Sequence, residues 1–225
     1  MVLPTLTQME DVLLRPPVPV THAEVAAVVR GGPLLQIYLQ RYRNQVNVTF
    51  ARGEDAAAFL AYAQATPFYV AGRLTTVEWA LRAYVAPHYV YLQVDAGDVS
   101  RNIIIENVDS KVTEAVIRRD LHHIHNLAVI SVVFQNNNAY VSTSSVGGAL
   151  YARTCMKSRA FYKDMRISFY EDECAQPLPR VLPTAAASIP WQDRGLFYNP
   201  FELLSPDDFQ LGENAEEEDE DKDEE

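Results

Sequence analysis

NIIIENVDSKVTEAVIRRDLHHIHNLAVISVVFQNNNAYVST, residues Asn102–Thr143, decides the architecture. NIIIENV (Asn102–Val108) is a β-branched run of strand length. KVTEAVIRRDLHHI (Lys111–Ile124) changes the period, with Val112, Val116 and Leu121 on one side of a helix. LAVISVVF (Leu127–Phe134) and NAYVST (Asn138–Thr143) are two more strands, and the asparagines between them supply a tight turn. Downstream, SVGGALYARTCM (Ser145–Met156) reads as a helix weakened by two glycines, and MRISFY (Met165–Tyr170) as a closing strand. The order is βαββαβ.

Upstream the same order recurs. VLLRPPV (Val12–Val18) is a short apolar run ended by prolines. In THAEVAAVVRGG (Thr21–Gly32), Thr21 and Glu24 form a capping-box pattern, Val25, Val28 and Val29 give the apolar side, and the glycine pair ends the helix. LLQIYLQRY (Leu34–Tyr42) and the strictly alternating NQVNVTF (Asn44–Phe50) are strands. EDAAAFLAYAQA (Glu54–Ala65) is helical by its alanines, and RLTTVEW (Arg73–Trp79) is expected to be the last strand. The spacing agrees between halves: about 34 positions separate Leu13 from Asn47, and about 36 separate Ile104 from Tyr140.

A duplicated βαββαβ order predicts an α+β chain of two tandem ferredoxin-like sandwiches, each with two helices behind a four-stranded antiparallel sheet whose other face is open. The expected organisation is a first unit over 9–82, a linker over 83–98, a second unit over 99–173, and a Pro-rich then acidic disordered tail over 174–225. The segment between the units, ALRAYVAPHYVYLQVDAG (Ala80–Gly97), is rich in tyrosine, which suits packing between the units better than a loose linker.

Strand alternation assigns the open face. Val12, Leu14, Val46, Val48 and Phe50 point inward in the first unit, leaving Leu13, Gln45, Asn47 and Thr49 outward. In the second, Ile103, Ile105, Ala139, Val141 and Thr143 point inward, leaving Ile104, Asn138, Tyr140 and Ser142 outward, with Asn102 opening the first strand.

The third strands, RNQVNVTF (Arg43–Phe50) and NNNAYVST (Asn136–Thr143), resemble the signature octamer of the RNA-recognition motif (RRM). VVRGGPLLQIYLQRYRNQVNVTF in the first half and SRNIIIENVDSKVTEAVIRRDLHHIHNLAVISVVFQNNNAYVSTSSVGGAL in the second resemble RRMs of the fungal negative-regulator-of-differentiation family of multi-RRM mRNA-binding proteins, over roughly residues 9–175. That resemblance implies sequence-dependent binding of single-stranded mRNA in post-transcriptional control. Both RRMs are degenerate, because only Tyr140 among the six platform positions Leu13, Gln45, Asn47, Ile104, Asn138 and Tyr140 is aromatic. Each base–aromatic stack is worth roughly 1–3 kcal/mol, so five missing stacks forfeit on the order of 5–15 kcal/mol of gross contact. Amides can recover part of it by hydrogen-bonding base edges.

For phosphates the candidates are Arg41 and Arg43 on the hairpin, Arg101 ahead of the second unit, and the basic stretch Arg153, Lys157, Arg159, Lys163 and Arg166. The alternative function is a protein-interaction module on RRM folds that have lost their stacking aromatics. It would use the RRM faces or the tail, where WQDRGLFYNPFELLSPDDF (Trp191–Phe209) mixes aromatics with acids.

Composition bounds the rest. The net charge of −11 is concentrated in Glu213–Glu225, which holds ten acids and one lysine. Without that run the chain is near neutral. Two cysteines, Cys155 and Cys174, make neither a CxxC pair nor a disulfide framework. The N-terminal MVLPTLTQMED lacks the charge-then-apolar pattern of a signal peptide, and no apolar run approaches the ~20 residues of a membrane span. A cytoplasmic or nuclear protein is expected, with no membrane partner. His122, His123 and His125 lack further ligands at metal-binding spacing, and there is no nucleophile elbow or phosphate loop. No metal, cofactor or catalytic residue is therefore expected.

Overall fold

The computed structural model describes residues 11–179, apart from 83 and 98. The expected acidic tail and the aromatic segment Trp191–Phe209 lie outside the described residues.

The first unit runs β1 (Asp11–Arg15), α1 (His22–Ala26), β2 (Leu34–Gln40), β3 (Gln45–Phe50), α2 (Gly53–Ala65), β4 (Tyr69–Val70), β5 (Arg73–Leu74) and β6 (Thr76–Trp79). After α3 (His88–Asp95), the second runs β7 (Asn102–Glu106), α4 (Glu114–Leu121), β8 (Val129–Gln135), β9 (Asn138–Thr143), α5 (Val146–Ser158) and β10 (Arg166–Tyr170). The sheets are ordered β2-β3-β1-β6 and β10-β7-β9-β8, all pairs antiparallel. The two orders are the same pattern used twice. The fold is two tandem ferredoxin-like βαββαβ sandwiches.

Sequence and structure agree on the inward faces. Val12, Leu14, Val46, Val48 and Phe50 join Val25, Val29 and Phe59 in the first core, each at most 1% exposed. Ile103, Ile105, Ala139 and Val141 join Ile117, Leu121 and Met156 in the second, all at 0%. Thr21 caps α1 as its spacing predicts: its hydroxyl accepts from the Glu24 N–H at 3.2 Å, and the Glu24 carboxylate accepts from the Thr21 N–H at 2.7 Å. The turn between β8 and β9 places Asn136 and Asn137 at φ 51° and 60°, the left-handed region that asparagine tolerates.

Four expectations change. The segment Arg73–Trp79 is not one strand. Arg73–Leu74 pairs with Tyr69–Val70 across Ala71–Gly72, both at positive φ, and only Thr76–Trp79 joins β1. The helix expected over Thr21–Gly32 stops at Ala26, and Arg30 donates to the carbonyls of Ala26, Ala27 and Val29 that its end leaves free. Of the two α5 glycines, Gly148 has a packing reason: a Cβ there would lie 2.6 Å from Leu127 Cδ1 and 2.9 Å from the capping Ser145 hydroxyl. A tail does not begin at Cys174. That residue is 0% exposed in the first unit's core, and the Gly31 and Gly32 N–H groups donate to the carbonyls of Gln176 and Cys174.

The two units are thereby one packed body. Residues 80–97 contribute α3, and Ala86 and Val90 bury themselves between Leu35 of the first unit and Val146 of the second. The outer edge of β2 is covered by the second unit: Ile37 N–H donates to Ser144 O at 2.8 Å, and Gln36 bridges to Ser145. At the junction, the fully buried Arg101 forms a bidentate pair with Asp172 at 2.7 and 2.8 Å. It also reaches Glu173 at 2.7 Å, Thr143 O at 3.1 Å and Cys174 Sγ at 3.3 Å. Asp172 in turn accepts from the backbone N–H of Leu34 in the first unit at 3.1 Å. Burial opposes the Arg101 charge, but Asp172, Cys174 and Glu173 outweigh it and hold the guanidinium above its ordinary range.

Removing one member of a buried pair strands the other, at a cost of about 3–5 kcal/mol. Asp172→Ala should therefore lower stability by roughly that amount, read as a lower urea midpoint. Arg101→Met, which removes the charge and keeps the volume, should cost about as much through the stranded Asp172 and Glu173. The double variant Arg101→Met/Asp172→Ala should cost less than the sum of the two.

Candidate nucleic-acid interface

Antiparallel register brings the second unit's outward side chains into rows. Ser168, Ile104, Tyr140 and Val133 form one row across β10, β7, β9 and β8. Tyr170, Asn102, Ser142 and Ser131 form the next. Tyr140 and Tyr170 meet edge-to-face with ring centroids 5.3 Å apart. Such a contact fixes both ring planes and is worth about 0.5–1.5 kcal/mol beyond buried area. Val133 is 53% exposed beside them, and Arg166 stands at the end of β10, 76% exposed and 3.8 Å from Glu106. Burial, followed by the nearby Glu173, pushes the Tyr170 hydroxyl up to about 12. Tyr170 also borders a cleft of about 700 Å³ between the units, walled by Leu35, Ala51, Arg52 and Val99.

On the first unit, Glu78, Leu13, Asn47 and Tyr38 form the corresponding row. Gln40 Nε2 donates to Asn47 Oδ1 at 2.7 Å, so these two amides hold one another in place on the face. Tyr38 is 51% exposed.

The expected site residues separate into two groups. Ile104, Asn138, Tyr140, Gln45 and Asn47 are half-buried on the sheet faces, Arg166 is exposed at the rim of the second, and Arg43 is exposed in the 3-10 turn Arg41–Arg43 between β2 and β3. The other three are not available. Arg101 is 0% exposed and locked into Asp172, so it is no phosphate ligand. Asn102 is also 0% exposed, donating to Glu171 O at 3.1 Å and Glu173 Oε2 at 2.6 Å. Leu13 faces outward by register yet is only 6% exposed. The basic stretch is also dispersed: Arg153 lies over the Phe169 ring at 5.1 Å and Arg159 pairs with Asp120 at 2.9 Å.

Tyr170, Val133 and Tyr38 were missed. Each sits on an outer strand of its sheet, whereas the signature octamer points only to the third strand and the strand beside it. Alternation from the buried Ile167 would have put Tyr170 outward. Among the described residues, no group of three or more His, Cys, Asp or Glu side chains could hold a metal ion, and no helix is long and apolar enough to cross a membrane.

No family model matches the chain. Over 160 residues, 67% of its length, it is 28% identical to the RNA-binding protein MRN1 of Saccharomyces cerevisiae. Over 163 residues it is 24% identical to the Meiotically up-regulated gene 24 protein of Schizosaccharomyces pombe. The chain spans about a quarter of the length of these curated relatives, 26% and 25%. Among solved structures it is similar to RRM domains 1 and 2 of Prp24 from S. cerevisiae, at 14% identity and TM-score 0.33, covering 78% of this chain and all of that one. The first two RRM domains of the yeast poly(U) binding protein Pub1 overlap it at 16% identity and TM-score 0.25, covering 71% of this chain and 99% of that one.

A tyrosine whose pKa is raised by the fold contributes stability that is present below its unfolded value near 10 and lost as pH rises through the folded value. Ultraviolet titration should show one phenol ionising near pH 12 that is absent from Tyr170→Phe. Between about pH 10 and 12 the wild type should lose stability faster than that variant.

Proposed function

We propose that this chain binds single-stranded RNA, with the sheet face of the second unit as its principal contact. The observation that carries the reading is the Tyr140–Tyr170 pair, two aromatic rings at 5.3 Å on an open sheet face. Rings held in place on a sheet can stack on unpaired bases without losing rotamer freedom at the moment of binding. Ile104 and Val133 extend the apolar surface on either side of Tyr140, and Asn138 brings an amide to its edge. Arg166 and, on the first unit, Arg43 are exposed guanidiniums for phosphates. The similarity over 67% of the chain to an RNA-binding protein of budding yeast agrees with this reading.

The partner we infer is mRNA, and the role post-transcriptional regulation in the cytoplasm or nucleus. The cations beside the face are few, so affinity is modest and its salt dependence shallow. In fluorescence anisotropy with short single-stranded RNA pools, Tyr140→Ala should weaken binding by about 1–3 kcal/mol, roughly 5- to 150-fold. Arg166→Ala should weaken it on all sequences alike and reduce the salt slope by about one. Binding that ignores both substitutions would sink the assignment to this face.

A further inference from the structure

The first unit's sheet face holds something that the tyrosine pair of the second does not, a small cavity of about 190 Å³. Tyr38 of β2 and Tyr84, from the segment after β6, wall it, with Gln40, Asn47 and Arg82 around it and Asp11 at its base. Its volume is below the ~300 Å³ at which pockets for drug-sized ligands begin, which suits a single planar ring.

Its most buried charged group, Asp11, is an acceptor. Asp11 is 4% exposed. One carboxylate oxygen accepts from the Tyr84 N–H at 2.6 Å, while Oδ1 is buried with no hydrogen-bond partner among the described residues. Burial raises the Asp11 pKa, with the Thr49 hydroxyl and the Tyr84 N–H partly opposing. A buried acceptor without a donor is costly, and a ligand that brings an N–H relieves that cost. Above it, the Gln40–Asn47 bond uses one Gln40 N–H and the Asn47 oxygen, leaving the Gln40 oxygen as acceptor and the Asn47 NH₂ as donor for a ring edge. Tyr38 is exposed enough to stack on that ring.

We propose that this cavity is a nucleobase pocket that takes a base carrying an exocyclic amino group, its N–H directed at Asp11 and its ring stacked on Tyr38. The proposal rests on the RNA-binding reading above and adds a specificity to it. Adenine, cytosine and guanine qualify, whereas the N3–H of uracil is flanked by two carbonyl oxygens that the Asp11 carboxylate would repel. The first unit thus replaces the stacking positions missing from β1 and β3 with aromatics from β2 and from the segment after β6.

The test is anisotropy on the full chain with short labelled oligoadenylate, oligocytidylate and oligouridylate. The wild type should bind the adenylate or cytidylate strand about 5- to 100-fold more tightly than the uridylate. Asp11→Asn should abolish or reverse that preference, because its amide can donate to a uracil carbonyl. Tyr38→Ala, at an exposed position, should weaken binding of the preferred strand about 5- to 100-fold with an unchanged melting temperature. Equal affinity for all three strands, or a preference that survives Asp11→Asn, would overturn the pocket. If Asp11→Asn fails to fold, unchanged binding by Tyr38→Ala overturns it instead. Either result alongside a weakened Tyr140→Ala leaves the second unit's face standing, while a wild type that binds no RNA removes both.

Discussion

The bidentate pair between Arg101 and Asp172 is the constraint on which the two-unit body depends. Arg101 sits just ahead of β7 and Asp172 just after β10, so the pair closes the second unit across its ends. The same carboxylate receives the Leu34 N–H at the start of β2 in the first unit. One buried charge therefore organises three segments that are far apart in sequence. An arginine suits the position because its planar fork satisfies two carboxylate oxygens while further N–H groups reach Thr143 O and Cys174 Sγ. A lysine, with one compact ammonium, would leave part of that set unsatisfied.

From this anchor the chain turns back toward the first unit. Cys174 enters a core built from β1, β3, α1 and α2, and Gly31 and Gly32 find acceptors on the returning backbone. The outer edge of β2, which would otherwise present unpaired N–H and C=O groups, is covered by Ser144 and Ser145. The Tyr-rich segment between the units adds a third apolar cluster between them. Two small sandwiches, each with a modest core, thus share a common interior. Their open faces are left to differ: the second carries a fixed tyrosine pair, the first a polar cavity flanked by tyrosines.

What was legible in the sequence followed from short-range rules. Period-two alternation assigned Val46, Val48 and Phe50 to the core and Gln45 and Asn47 to the face, because successive side chains on a strand cannot do otherwise. The Thr21–Glu24 cap and the asparagine turn at Asn136–Asn137 are local hydrogen-bonding and φ preferences. The site was only partly legible. Tyr140 was found, because it lies on the third strand. Tyr170 was not, since its role depends on β10 lying beside β7, two strands away from Tyr140 in sheet order.

By itself the sequence determined the duplicated βαββαβ order, the inward faces and the outward placement of Tyr140 on β9, all properties of neighbours within a few residues. Tertiary structure alone decided that Arg101 is a buried clasp rather than a phosphate ligand, that Asn102 is covered, and that Cys174 belongs to a core rather than a tail. The reason is that burial and charge pairing are set by what arrives from elsewhere in the chain. Asp172 stands 71 residues from Arg101, and Cys174 meets Ala26 across 148. No local pattern encodes which of several arginines such a carboxylate will reach.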